Sequence, residues 1–253
     1  MAHKTLISGT AYSVTGGREL IGGTGYGCKA GKTIIGGTAF IIPFAKGPTL
    51  SSITPGGILM LNESGNPIPF YIAKHDYEPE LNGAGRTLIV RKDCGAEKRI
   101  NIRNNYENGD ADYWNRWTWT RLLDADVIAA LGSTKFYYTP GNGNNTVTVL
   151  NRTAFQLSAA ELGLTASTVN AEGTELPIAS MLKIAYTDGS AVFQWTRTPR
   201  TDGTTKSVMI TDDGYFAGIE SNTRNFCRCR PAFTIPGNLS VVQNPDGTYT
   251  LAA

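Results

Sequence analysis

Few side chains in this 253-residue chain carry the chemistry of catalysis, and its two histidines are His3 and His75. A hydrolytic triad needs a histidine oriented by a carboxylate and facing a nucleophile. His75-Asp76 offers the first pair, but no Gly-x-Ser-x-Gly elbow supplies the second. Gly31-Lys32-Thr33 resembles the end of a phosphate loop, yet the position five before Gly31, which should be glycine, is Tyr26. Asp110, Asp112, Asp124 and Asp126 could be imagined around a metal. At predicted helix starts they read more simply as caps and as charges favourable to the helix dipole. Of the four cysteines, Cys227 and Cys229 are spaced C-x-C rather than the C-x2-C of zinc knuckles, and with Cys28 and Cys94 they read as small buried thiols. No reaction, metal or cofactor is expected.

Binding suits the residue types better. Asn101, Arg103, Asn104, Asn105, Tyr106 and Tyr113 bring aromatic and amide groups together ahead of and into a helical pattern, a mixture that contact surfaces favour. Trp114 and Trp117, at helical spacing, read as core. A second candidate is the loop-like run containing Asn222, Arg224, Asn225, Phe226 and Arg228.

The elements that must position these residues follow from periodicity. From Asp110 to Leu131 apolar residues recur at three- and four-residue spacings, predicting helix divided near Leu123-Asp124. Ser158-Ala159-Ala160-Glu161 matches a capping box, and Pro177 predicts a helix over 178–184. Strands are predicted at 58–61, 68–73, 87–91, 192–196, 207–211, 215–219, 231–235, 239–242 and 248–251. With 29 glycines, 12 prolines and 17% charged residues the composition is β-rich, and the fold class is α+β.

The chain opens on three copies of one pattern, beginning at Lys4, Arg18 and Lys32 with a 14-residue period. Each reads as short strand, glycine corner, short strand, and a unit this small must stack on something to bury its apolar face. The phase also explains Lys32-Thr33, since Lys4-Thr5 occupies the same position. Residues 1–45 are thus expected to be a β-repeat module, 46–57 a Pro/Gly/Ser-dense linker, and 58–253 a second domain. A net charge of +2 without a basic run excludes nucleic-acid binding as an expectation, and no apolar stretch is long enough to insert in a membrane.

From about Phe70 onward the chain resembles the DUF6273-type domains of phages and prophages of gut Firmicutes. The resemblance is carried by Phe70 to Tyr77, Arg86 to Lys92, Leu122 to Val127, Gln194-Trp195-Thr196-Arg197-Thr198-Pro199 and Arg230-Pro231-Ala232-Phe233-Thr234. The last two look like the paired strands of the C-type-lectin-like fold shared by formylglycine-generating enzymes and retroelement variable proteins. The resemblance implies fold roles for Trp195, Arg197, Arg230 and Phe233, the arginines holding loops by charge-assisted hydrogen bonds. The enzyme branch's own cysteine motif is unmatched, and so is the lectin calcium motif. The chain departs from the family at 94–99, 101–108 and 225–229, patches that could be diversified by a retroelement. It implies a virion protein of the tail tip or fibre, made in the host cytoplasm. The N-terminal module would meet other virion proteins, the second domain a host-surface protein or glycan, in a homo-oligomer, trimeric by preference. The alternative is a capsid or tail decoration protein.

Overall fold

The computed structural model describes residues 47–222 and 227–252 in full and, before them, the backbone of six strands. It divides into two compact units, Met1–Gly47 and Pro48–Ala253.

In the first unit β1 (His3–Ile7) pairs with β2 (Thr10–Val14), β3 (Arg18–Ile21) with β4 (Thr24–Gly27), and β5 (Gly31–Ile35) with β6 (Thr38–Ile42), all antiparallel. The register repeats with the sequence: Leu6 faces Ala11, Leu20 faces Gly25 and Ile34 faces Ala39. The repeat module expected as a packed body, its side chains, and Cys28 lie outside the described residues.

The second unit runs β7 (Ile58–Glu63), β8 (Asn66–His75), α1 (Pro79–Asn82), β9 (Arg86–Arg91), α2 (Asp110–Tyr113), a π-helical turn (Trp114–Trp119), a 3-10 turn (Thr120–Leu122), α3 (Ala125–Ala130), β10 (Thr134–Tyr138) and β11 (Thr148–Arg152). Then come α4 (Ala179–Leu182), β12 (Ala185–Thr187), β13 (Ser190–Pro199), β14 (Lys206–Ile210), β15 (Phe216–Glu220), β16 (Cys227–Arg228), β17 (Ala232–Pro236), β18 (Val241–Gln243) and β19 (Tyr249–Leu251). The protein is α+β, mostly sheet with few and short helices.

One sheet has the order β17-β9-β8-β7-β19-β18, antiparallel throughout except where β19 lies parallel to β7. Its middle is buried on both faces, which is why Leu88-Ile89-Val90 is a continuous apolar run while β7, with one face inward, alternates through Leu59, Leu61 and Glu63. A second sheet orders β12-β13-β14-β15, with β16 parallel to β13. β10 and β11 form a separate hairpin. Phe70, Trp119 and Phe233 meet at ring-centroid distances of 5.6–6.3 Å in the core beneath the first sheet.

Two expectations are corrected. Residues 48–57 are not a linker: Leu50 is fully buried, Leu50 N donates to Leu239 O at 2.8 Å, and Val241 N donates to Pro48 O at 2.9 Å. Their turn-rich composition reflects a tight path along the sheet edge. Trp117 is not core. In the π turn, closed by i→i+5 bonds, residues five apart share a side. Trp114 and Trp119 are therefore both buried, and Trp117 is 49% exposed. The predicted break falls at Leu123-Asp124. The capping box forms too, with Glu161 N donating to Ser158 Oγ at 3.0 Å and Ser158 N to Glu161 Oε2 at 2.7 Å.

Candidate functional site

The segment 95–100, which leads into the first candidate stretch, lies beside Ser221 and Cys227 to Cys229, more than a hundred residues away in sequence. Gly95 N donates to Cys229 O (2.7 Å), Cys229 N to Ala96 O (3.0 Å), Lys98 N to Cys227 O (3.2 Å) and Ile100 N to Ser221 O (3.0 Å). Arg228, half-buried, donates to Glu97 Oε1 at 2.8 Å and to Gly95 O at 3.1 Å, so it staples this seam. Asn222 is exposed beside it, whereas Arg224, Asn225 and Phe226 lie outside the described residues.

Three further loops join the seam at one end. Asn104 is fully buried and is the centre of the junction. Its Nδ2 donates to Arg200 O (3.0 Å) and Gly203 O (3.1 Å), its Oδ1 accepts from Asn142 N (2.7 Å), and its own N donates to Thr204 O (3.1 Å). Asn145 Nδ2 donates to Thr201 O (3.0 Å), and Asn170 Nδ2 to Asn145 O (2.5 Å). Short polar side chains that bond neighbouring backbone are what irregular chain needs to keep its amides satisfied. Ser221 N, donating to Thr205 O at 2.7 Å, ties the same loops to the seam.

Of the residues singled out, Asn104 and Tyr106 do not face solvent. The Tyr106 hydroxyl accepts from Gln156 N (3.1 Å) and Asn115 Nδ2 (3.4 Å), and burial pushes its phenol well up. Both residues hold the loop from below, correcting the expectation that they touch a ligand. Asn101 and Asn105 shape the loop, Asn101 Nδ2 donating to Asn105 O at 3.2 Å and Asn105 Nδ2 to Glu107 O at 3.2 Å. Arg103, whose Nη1 reaches Thr204 Oγ1 at 3.4 Å, is exposed, as is Tyr113 at 59%. Reasoning from sequence missed Trp117 and Ile102, the latter 66% exposed. Only the π turn and the loop path decide those two. Gly109 seals the loop against the helix, since a Cβ there would stand 2.2 Å from Ile100 O.

Charges around this surface are largely paired: Arg99 with Asp110 at 2.6 Å, Arg152 with Asp112 at 3.0 Å, and Arg116 with Asp112 at 3.3 Å. The Arg116 guanidinium also lies 5.7 Å from the Trp117 ring centroid.

The four fold residues lie deeper. Trp195 Nε1 donates to Lys98 O at 2.6 Å and so anchors the seam. Arg197 is buried between Glu161 (2.7 Å) and Glu172 (3.9 Å), donates to Tyr137 O and Gln156 O, and lies 4.6 Å from the Phe136 ring centroid. Burial opposes its charge, but Glu161 and Glu172 carry it above its ordinary value. Burial raises Glu172 against the pull of Arg197. Arg230 donates to Arg91 O (2.9 Å), Leu182 O (2.7 Å) and Lys92 O, and burial lowers it. Phe233 packs against Phe70 and Trp119.

Among the described residues, the histidine and the cysteines are otherwise engaged. His75 meets Thr87 Oγ1 (3.0 Å) and Ile53 O (2.7 Å) with its two ring nitrogens. Burial pushes the Cys94 thiol up to about 11 and the Cys227 thiol up to about 12, which leaves both protonated and inert at neutral pH. Among the described residues no group of His, Cys, Asp and Glu is placed to hold a metal ion, and no helix is long and apolar enough to cross a membrane. The arrangement can present a rigid face of aromatic, amide and backbone groups.

Residues 84–237 match the family model described as a domain of unknown function (DUF6273). No curated protein and no solved structure matches the chain.

Proposed function

The chain belongs to the DUF6273 family, and from that premise we propose that it is a non-enzymatic phage virion protein, at the tail tip or fibre, whose second unit binds the bacterial host surface. The observation that carries this reading is the convergence of five separate chain segments on one face, with Tyr113 and Trp117 exposed beside it. Exposed aromatics on a pre-ordered loop surface bind at low entropic cost. The reading keeps the C-type-lectin-like fold, attachment through the first unit, and a trimeric assembly as parts of the same proposal.

A double variant, Tyr113→Ala with Trp117→Ala, tests it. Adsorption of the purified protein to host cells is expected to fall about tenfold or more with melting unchanged, as for loss of interface anchors. Unaltered adsorption in the folded double variant sinks the reading. A second reading, particle decoration, rests on the largely paired charges of the face. It expects particles lacking the protein to adsorb normally but to lose heat resistance.

A further inference from the structure

A cleft of about 300 Å³ lies at the far end of β10 from those loops, lined by Leu81, Asn82, Arg86, Gly132, Ser133 and Lys135. Two of its six lining residues are cations, and among the described residues neither forms an ion pair with a carboxylate. Of the acids that precede Arg86, Asp76 accepts from Gly85 N at 2.6 Å, Glu80 accepts from the Tyr137 hydroxyl at 3.3 Å, and Glu78 lies 3.8 Å from Lys74 Nζ.

Arg86 is held in place rather than swinging in solvent. Its Nε donates to Thr234 Oγ1 at 3.1 Å and its Nη2 to Thr234 O at 2.5 Å. Its guanidinium lies so close over Gly132 that a Cβ there would come within 2.0 Å of Nη2. Nη1 has no hydrogen-bond partner among the described residues, which leaves a donor edge for the cleft. Burial alone draws the group below its ordinary value, with no opposing charge to offset it.

Lys135 is exposed, but its backbone is pinned, since Asn82 Oδ1 accepts from Lys135 N at 2.8 Å and Asn82 Nδ2 donates to Lys135 O at 2.9 Å. Ser133 lines the same wall, its hydroxyl already donating to Asn151 Oδ1 at 2.6 Å. A part-buried guanidinium with a free edge, a second cation and no counter-ion form a receptor for an oxyanion.

We infer that this cleft binds a phosphate group, with Arg86 as the oriented fork and Lys135 as the point charge. The site is separate from the loop face and stands whether or not that face binds a host.

Calorimetric titration of the full chain with inorganic phosphate, ionic strength held by chloride, provides the test. Saturable binding is expected, weakened about tenfold or more in Lys135→Ala and in Arg86→Gln and unchanged in Trp117→Ala, since a charge-assisted contact is worth about that factor. Arg86 also supports Thr234, so the exposed Lys135 variant keeps the test independent of folding. Absence of saturable phosphate binding by the unaltered chain, or equal affinity in a folded Lys135→Ala variant, overturns the inference. Titration with a soluble poly(glycerol phosphate) separates two sources of the same group. Tighter binding per phosphate than to the free ion assigns the site to a polymer, and equal binding assigns it to the free anion.

Discussion

Glu78 departs from ordinary carboxylate behaviour. Its backbone is left-handed at φ 44, its side chain is buried, and Oε1 has no hydrogen-bond partner, with Lys74 Nζ 3.8 Å away. Burial, then the neighbouring Glu80, pushes it from 4.5 up to about 7. An acid raised on folding keeps its proton in the folded chain after the unfolded chain has lost it. Its contribution to stability is therefore greatest below about 4.5, declines as pH rises to about 7, and is flat above. Glu78→Gln preserves the neutral shape, so urea denaturation should find the variant more stable by on the order of 2 kcal/mol at pH 8, and close to the parent at pH 4. A parent-like pH profile in the variant would show that another group carries the dependence. At this scale the sequence was partly legible. The Ser158–Glu161 capping box could be read from a three-residue spacing. The burial of Glu78 beside Gly173 and the pairing of Glu172 with Arg197 could not, because the segments that meet there are far apart in sequence.

Among the elements, the helical stretch 110–130 shows what periodicity can and cannot resolve. Its existence and its break follow from apolar spacing and from Asp124. The π turn within it does not, because Trp114, Trp117 and Trp119 each satisfy an ordinary helical stripe in some register. Packing chose: the Trp119 Nε1 bond to Glu63 Oε1 at 2.9 Å and its contact with Phe70 and Phe233 require the widened turn. Trp119→Ala should cost about 3–5 kcal/mol, whereas Trp117→Ala should stay within about 0.5 kcal/mol, both by chemical denaturation. Equal losses would place Trp117 in the core after all. Four strands of the second unit, β10, β11, β12 and β16, escaped prediction. Thr134–Tyr138 carries one lysine and two tyrosines among its five residues, and Ala185–Thr187 is too short for a pattern to emerge.

For the whole molecule, the boundary between the units governs how it should be cut. Leu50 and Ile53 are buried in the second unit, and His75 reaches Ile53 O, so this unit begins at Pro48. A fragment of residues 48–253 should unfold cooperatively, while one of 58–253 should be weaker by roughly 3–5 kcal/mol, given about 1.5–3 kcal/mol per large apolar side chain buried. Matching urea midpoints for the two fragments would return residues 48–57 to the role of a linker. By itself the sequence determined the α+β class, most strands of both sheets, the helix break and the period of the opening repeat. Each of these rests on local spacing, which the backbone geometry of helices and strands imposes directly. The tertiary structure alone decided that residues 95–100 lie against Ser221 and Cys227 to Cys229, that Asn104 and Tyr106 face inward while Trp117 faces out, and that Arg86 and Lys135 share a cleft. These depend on which segments meet, and contacts between residues a hundred positions apart leave no period in the chain to read.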